Sequence, residues 1–144
     1  MTIRLTDREL AMCDMIGAMR FWQGCGTNTN IIDKGKASRI GFCAEYAFSK
    51  QFNLHLDILS NLEKGSYDFI SKDGATIDIK ATDYPDGNLL VKKPMHDIYV
   101  LVIVDGSTVD IIGYATKQML LDEGKRDFGH GPTYFVNRRD LKTW

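Results

Sequence analysis

Residues 97–105 read DIYVLVIVD, and this run sets the tightest limit on what the chain can fold into. It is almost unbroken apolar and shows no alternation of polar with apolar positions. Such a segment is a strand buried on both faces, so it belongs at the centre of a sheet covered on either side. Asp105-Gly106-Ser107 turns it into a second strand over 109–115.

A sheet covered on both faces needs enough chain for at least two further layers. The 144 residues, 44% apolar and 26% charged, meet that need once. Two domains would leave halves of about 70 residues, each marginal without disulfide or metal staples. The expectation is therefore one domain over residues 1–144. No run of about 18 apolar residues is present, so no membrane partner is expected. The N-terminal MTIRLTDREL lacks the apolar core of a signal peptide. Three cysteines (Cys13, Cys25, Cys43) without a C-x-x-C spacing argue against a disulfide framework and a four-cysteine metal site. These features fit a cytoplasmic location. A formal charge of −1 does not point to nucleic acid as a partner, although recognition needs only a local basic face.

Ahead of the central strand the period is first helical. Thr6-Asp7-Arg8-Glu9 is a capping box, and Leu10, Met12, Met15, Ile16, Met19 and Trp22 follow at mostly helical spacing until Gly24. This stripe is expected to face the core. By composition, 24–36 (GCGTNTNIIDKGK) is a loop. Gly24-Cys25-Gly26 is too short for a dinucleotide fingerprint, and Gly35-Lys36-Ala37-Ser38 lacks the phosphate-loop pattern, so no nucleotide cofactor is expected. A second helix should start near Ser38 and run to about Phe52. Ile40, Ala44, Ala47 and Phe48 would turn inward, Phe52 would extend that face, and Glu45 would stand at its margin.

From residue 66 the period becomes two. Strands at 67–70 and 75–81 flank Ser71-Lys72-Asp73-Gly74, a hairpin turn signal. With Gly74 in the left-handed position, Ser71 faces Ala75 and Asp68 faces Asp78. This register keeps Phe69, Ile77 and Ile79 on one apolar face and puts Asp68, Asp78 and Lys80 on the other. Two carboxylates opposite one another on a sheet face repel. A divalent cation between them removes that cost, and hard oxygen donors suit Mg2+ or Mn2+. Lys80 would then reach a water or a phosphate oxygen and stabilise developing charge. Beyond the central strands, Thr116 caps a short helix (KQMLLDE) closed by Gly124, and 133–136 offers a last strand.

Asp68, then Asp78-Ile79-Lys80, with Glu45 on an upstream helix, resembles the PD-(D/E)XK nuclease superfamily, whose core is the restriction-endonuclease-like fold. The resemblance spans roughly 38–115. It rests on the phrase Gly41-Phe42-Cys43-Ala44-Glu45-Tyr46-Ala47, the Tyr67-Asp68 strand, the 77–82 strand and the apolar 99–104 strand. Size and phrasing look most like short stand-alone members carried by phages, which would place the protein in the host cytoplasm. Tyr67 stands where the motif has proline, the middle acid is Asp rather than Glu, and a hairpin strand over 109–115 precedes the following helix. The resemblance implies an α/β fold with a mixed sheet flanked by helices. It divides the chain into an N-terminal helix and loop (1–37), a catalytic core (38–115) and a C-terminal helix and strand (116–144).

It also implies Mg2+-dependent cleavage of DNA phosphodiesters. Asp68 and Asp78 would bind the metal, Glu45 would assist as ligand from the helix, and Lys80 would position the attacking water. Lys34, Lys36 and Arg39 ahead of the Glu45 helix, and Lys92 and Lys93 after the Asp78–Lys80 strand, are the expected contacts to DNA phosphates. Arg138, Arg139 and Lys142 form a third basic group. Two alternatives remain at this stage. One is a homodimeric nuclease similar to Holliday-junction resolvases, and the other is a non-catalytic nucleic-acid-binding or interaction module of the same fold.

Overall fold

In the computed structural model, the described residues are 1–24, 31–58 and 67–144, with the side chains of 24 and 31–34 also left aside. Cys25, Asn28 and Asn30 of the polar loop fall outside them, as does the side chain of Lys34. The first strand, β1 (Thr2–Arg4), leads into α1 (Asp7–Gly24). The capping box forms: Thr6 N–H donates to Glu9 Oε2 at 2.7 Å and Glu9 N–H donates to Thr6 Oγ1 at 3.3 Å. The buried face of α1 is made by Cys13, Gly17 and Phe21, spaced by four, whereas Met15 and Trp22 are 74% and 70% exposed. The expected Met-rich stripe is thus only partly core. Met15 lies about 200° round the helix from Cys13, and Gly17 decides which side is inward. A Cβ on Gly17 would sit 2.7 Å from the Arg39 Cα, so only hydrogen allows the two helices to approach so closely there.

The second helix, α2, is Ile31–Phe52 and begins seven residues before the expected start at Ser38. Part of the segment read as loop is therefore helical. Gly35 costs about 1 kcal/mol inside a helix, a cost smaller than the packing along the α1–α2 seam can supply. Ile40, Ala44, Ala47 and Phe48 are buried as expected, and Phe42 and Cys43 join them.

Among the described residues, seven strands and a helix follow, with β2 (Phe69–Ile70), β3 (Thr76–Thr82), β4 (Leu89–Val91), β5 (Ile98–Asp105), β6 (Thr108–Thr116), α3 (Lys117–Glu123), β7 (Lys125–Asp127) and β8 (Pro132–Val136) in that order. The main sheet runs β1-β6-β5-β3-β2 and a small sheet runs β4-β8-β7. Among the described residues only β3 and β5 pair in parallel, Ile77 beside Ile98 through Thr82 beside Ile103. A parallel pair needs a crossover, and here it contains β4 rather than a helix.

The central strand is buried on both faces. Val100, Val102 and Val104 join α1 and α2 in one core, while Tyr99 and Leu101 join Leu89, Val91, Leu120 and Val136 in a second. The layers are helices, mixed sheet, then the small sheet with α3: a single small α/β domain. Thr116 Oγ1 accepts from Met119 N–H at the start of α3, and Gly124 (φ +76°) closes the helix. Strands β1, β4 and β7 were not expected. Each has three residues, too few for a period, and β7 is wholly charged and exposed. Among the described residues, no helix is long and apolar enough to cross a membrane.

Candidate active site

Gly74 sits at φ +83°, and Ser71 N–H donates to Ala75 O at 2.9 Å, so the hairpin turns where its chemistry placed it. The register is Phe69 beside Ile77 and Ile70 beside Thr76. Phe69, Ile77 and Ile79 enter the helix-side core, and alternation puts Asp78 and Lys80 together on the other face of β3. Lys80 Nζ lies 2.5 Å from Asp78 Oδ2.

The expected ladder pair of Asp68 with Asp78 is not formed, because β2 stops one residue short. Asp68 N–H donates to Ile77 O at 2.9 Å, and the Asp68 carboxylate turns back to accept the Ile79 N–H at 2.6 Å. A side chain replaces the missing strand as acceptor for the edge of β3.

Glu45 arrives from α2, which packs against β3. Its carboxylate is 2.7 Å from the Arg20 guanidinium, with side chains 15% and 13% exposed. Arg20 also donates to Asp57 O at 2.8 Å and lies 4.7 Å over the Phe42 ring. Burial raises the Glu45 pKa; Arg20 opposes the rise, and the charges of Asp78 and the exposed Asp57 add to it. Burial also lifts Asp68 from its ordinary value to about 7. The charges of Glu45 and Asp78 add to that rise, while the Ile79 hydrogen bond and Lys80 oppose it. Glu45, Asp68, Asp78 and Lys80 are thus close enough to feel one another's charge.

As a metal site the arrangement is incomplete but chemically suited. Among the described residues, no three His, Cys, Asp or Glu side chains are grouped as a ready ligand set. Glu45 is turned to Arg20. Asp78 Oδ2 is buried without a hydrogen bond, its ion pair to Lys80 notwithstanding. Asp68 and Asp78 therefore fit a hard divalent cation by donor type and by one under-satisfied oxygen.

The expected phosphate contacts are dispersed. Lys36 pairs with Asp83, just past the end of β3, at 2.5 Å. Arg39 pairs with Asp14 of α1 at 2.8 Å, which makes it a strut between helices. Lys92 and Lys93 are exposed but follow β4, not β3, on the way to the start of β5. Their segment ends at Asp97, which accepts from Thr76 at the start of β3, whereas Lys36 meets the chain beyond its far end. His96 is buried beside Tyr99, whose hydroxyl accepts its N–H at 2.7 Å, and His130 is exposed.

Two features escaped the sequence reading. One is Arg20, whose only signal is its place on the inward side of α1 between Gly17 and Phe21. The other is an open cleft of about 660 Å3 on the second face of the sheet, lined by Lys80, Thr82, Tyr84, Leu90, Phe128 and Phe135 among others. Lys80 belongs to both the cleft and the acidic group. Compared with models of known families and with curated proteins, the chain matches none.

Proposed function

We propose that the protein is a metal-dependent deoxyribonuclease of the PD-(D/E)XK type, built on a restriction-endonuclease-like core. One observation carries this reading: three carboxylates from a helix, a strand end and a strand gather with one lysine at the outer edge of β3. Structural carboxylates are ordinarily exposed or individually paired. Here Asp68 is buried among like charges, an arrangement typical of functional sites.

Asp68 and Asp78 would hold a Mg2+ or Mn2+ ion, and that ion supplies polarisation of the scissile phosphate and a more acidic water. Lys80, two residues along the same face from Asp78, hydrogen-bonds the attacking water or a phosphate oxygen and offsets negative charge as it develops. Arg20 pairs with Glu45 and opposes the rise that burial imposes on its pKa, so that Glu45 adds negative potential at the helix side. The free, buried Cys13 and Cys43 suit a reducing cytoplasm, that of the host if the chain is phage-encoded.

The test is incubation of linear, circular, single-stranded and branched DNA with and without Mg2+. Cleavage should require the ion and fall about a hundredfold or more in Asp78→Asn and in Lys80→Ala, with circular dichroism unchanged. Isothermal titration should show Mg2+ or Mn2+ uptake that Asp68→Asn weakens. Undiminished cleavage by Asp78→Asn overturns the assignment.

A further inference from the structure

The cleft beside Lys80 has a construction that the acidic group does not explain. One wall is the end of β3 with the turn over 84–88, and the other is the β7–β8 hairpin. Its volume of about 660 Å3 lies within the range of roughly 300–1,000 Å3 usual for small-molecule sites. Two aromatic side chains stand exposed in it, Tyr84 at 74% and Phe128 at 52%. The Phe128 ring tilts at 41° to Phe135, with centroids 5.3 Å apart.

Phe128 is not on a loose tip. Asp127 Oδ1 accepts from Gly129 N–H at 2.8 Å and Gly131 N–H at 3.2 Å, and both glycines have positive φ. A shaped turn thus holds a phenylalanine in water, against its hydrophobic preference. Cations stand at or beside the cleft. Lys80 lines the cleft, the Arg126 guanidinium lies 4.7 Å over Phe135, and Arg138 donates to Pro85 O at the rim. Of the acids, Asp78 pairs with Lys80 at 2.5 Å, and Asp86, fully exposed and 3.6 Å from Arg138, makes an ion pair worth little.

Exposed aromatic faces beside cations are the means by which unpaired nucleotides are held, bases stacked and phosphates neutralised. We infer that this cleft seats an unpaired base of the DNA strand whose phosphate lies at Lys80, stacked on Phe128 and Tyr84. A base within a closed duplex cannot reach the rings, so the cleft selects single-stranded or frayed DNA. The inference rests on the nuclease reading for the position of that phosphate.

The test is equilibrium binding, by fluorescence anisotropy in EDTA, of a short labelled single strand and of its blunt duplex. The wild-type protein should bind the strand about tenfold or more tighter than the duplex. Phe128→Ala and Tyr84→Ala should each weaken strand binding on the order of tenfold and leave duplex binding unchanged. A strand carrying abasic sites should bind the wild type as weakly as the intact strand binds the variants. Equal affinity of the wild type for strand and duplex overturns the inference, and so does full strand affinity in both variants. Asp78→Asn separates the two readings. Full cleavage by Asp78→Asn sinks the nuclease assignment alone, whereas its loss of cleavage alongside normal strand binding by the ring variants sinks the stacking cleft alone.

Discussion

Replacing Asp68 by asparagine should make the metal-free protein more stable at pH 8 while removing a ligand. The Asp68 carboxyl has a folded-state pKa of about 7 against an ordinary 3.8. Between those values the folded chain keeps a proton that the unfolded chain has lost, so stability falls as pH rises through that window and the full cost stands above pH 7. The difference is roughly three pH units at about 1.4 kcal/mol each, or about 4 kcal/mol if nothing relaxes. Water entry and side-chain movement should leave about 1–3 kcal/mol to be observed. Asparagine is nearly isosteric, and its Oδ1 can still accept the Ile79 N–H. Urea unfolding of both proteins in EDTA, at intervals from pH 4 to pH 8, measures the gap directly. It should be near zero at the acid end and widen to favour Asp68→Asn at the alkaline end. Addition of Mg2+ should stabilise the wild type more than the variant. An asparagine variant that is less stable at pH 8, or a gap that does not widen with pH, would refute the claim that the carboxylate is held against its preference.

Arg20→Ala should destabilise by about 3–5 kcal/mol, because it strands the buried Glu45 charge. Arg20→Lys should recover only part of this, since one ammonium cannot span Glu45, the Asp57 carbonyl and the Phe42 face, and thermal unfolding ranks the three proteins. Gly17→Ala should cost about 1–3 kcal/mol by forcing α1 off the Arg39 backbone, although alanine is the better helix former. A more stable Gly17→Ala protein in urea unfolding would show that the helices do not meet so closely.

What was legible in the sequence is what local chemistry decides. Gly74 takes the left-handed turn that sets the hairpin register, Thr6 with Glu9 and Thr116 start helices, and the apolar run 98–104 can only be central. What was illegible depends on where elements stop or on what lies across space. Nothing local says that β2 begins only at Phe69, yet that late start converts Asp68 from a cross-strand neighbour of Asp78 into the acceptor for Ile79 N–H. The glycines and asparagines of 24–36 argue for a loop, and packing against α1 overrides them from Ile31 onward. Arg20 reads as one more surface charge until Glu45, Phe42 and the Asp57 carbonyl are seen around it. The cleft combines a turn, a strand end and a hairpin far apart in the chain, so no spacing announces it.

The placement of the acidic group follows from two strands of unequal length. Strand β3 is paired by β5 from Ile77 to Thr82 but by β2 at only two residues, so among the described residues no strand pairs its outer edge past Ile77. Ala44 and Ala47 bring α2 down beside that edge, and their neighbour Glu45 is carried into it. The notch that results is buried on the helix side and opens, through Lys80, toward the aromatic cleft. The three carboxylates Glu45, Asp68 and Asp78 outnumber the two cations beside them, Arg20 and Lys80, and the charge of Asp57 adds to the excess at Glu45. A divalent ion offsets such an excess more fully than a monovalent one and suits hard carboxylate oxygens. On the proposed reading the notch therefore favours an ion of charge two, and cleavage should not be supported by sodium or potassium alone.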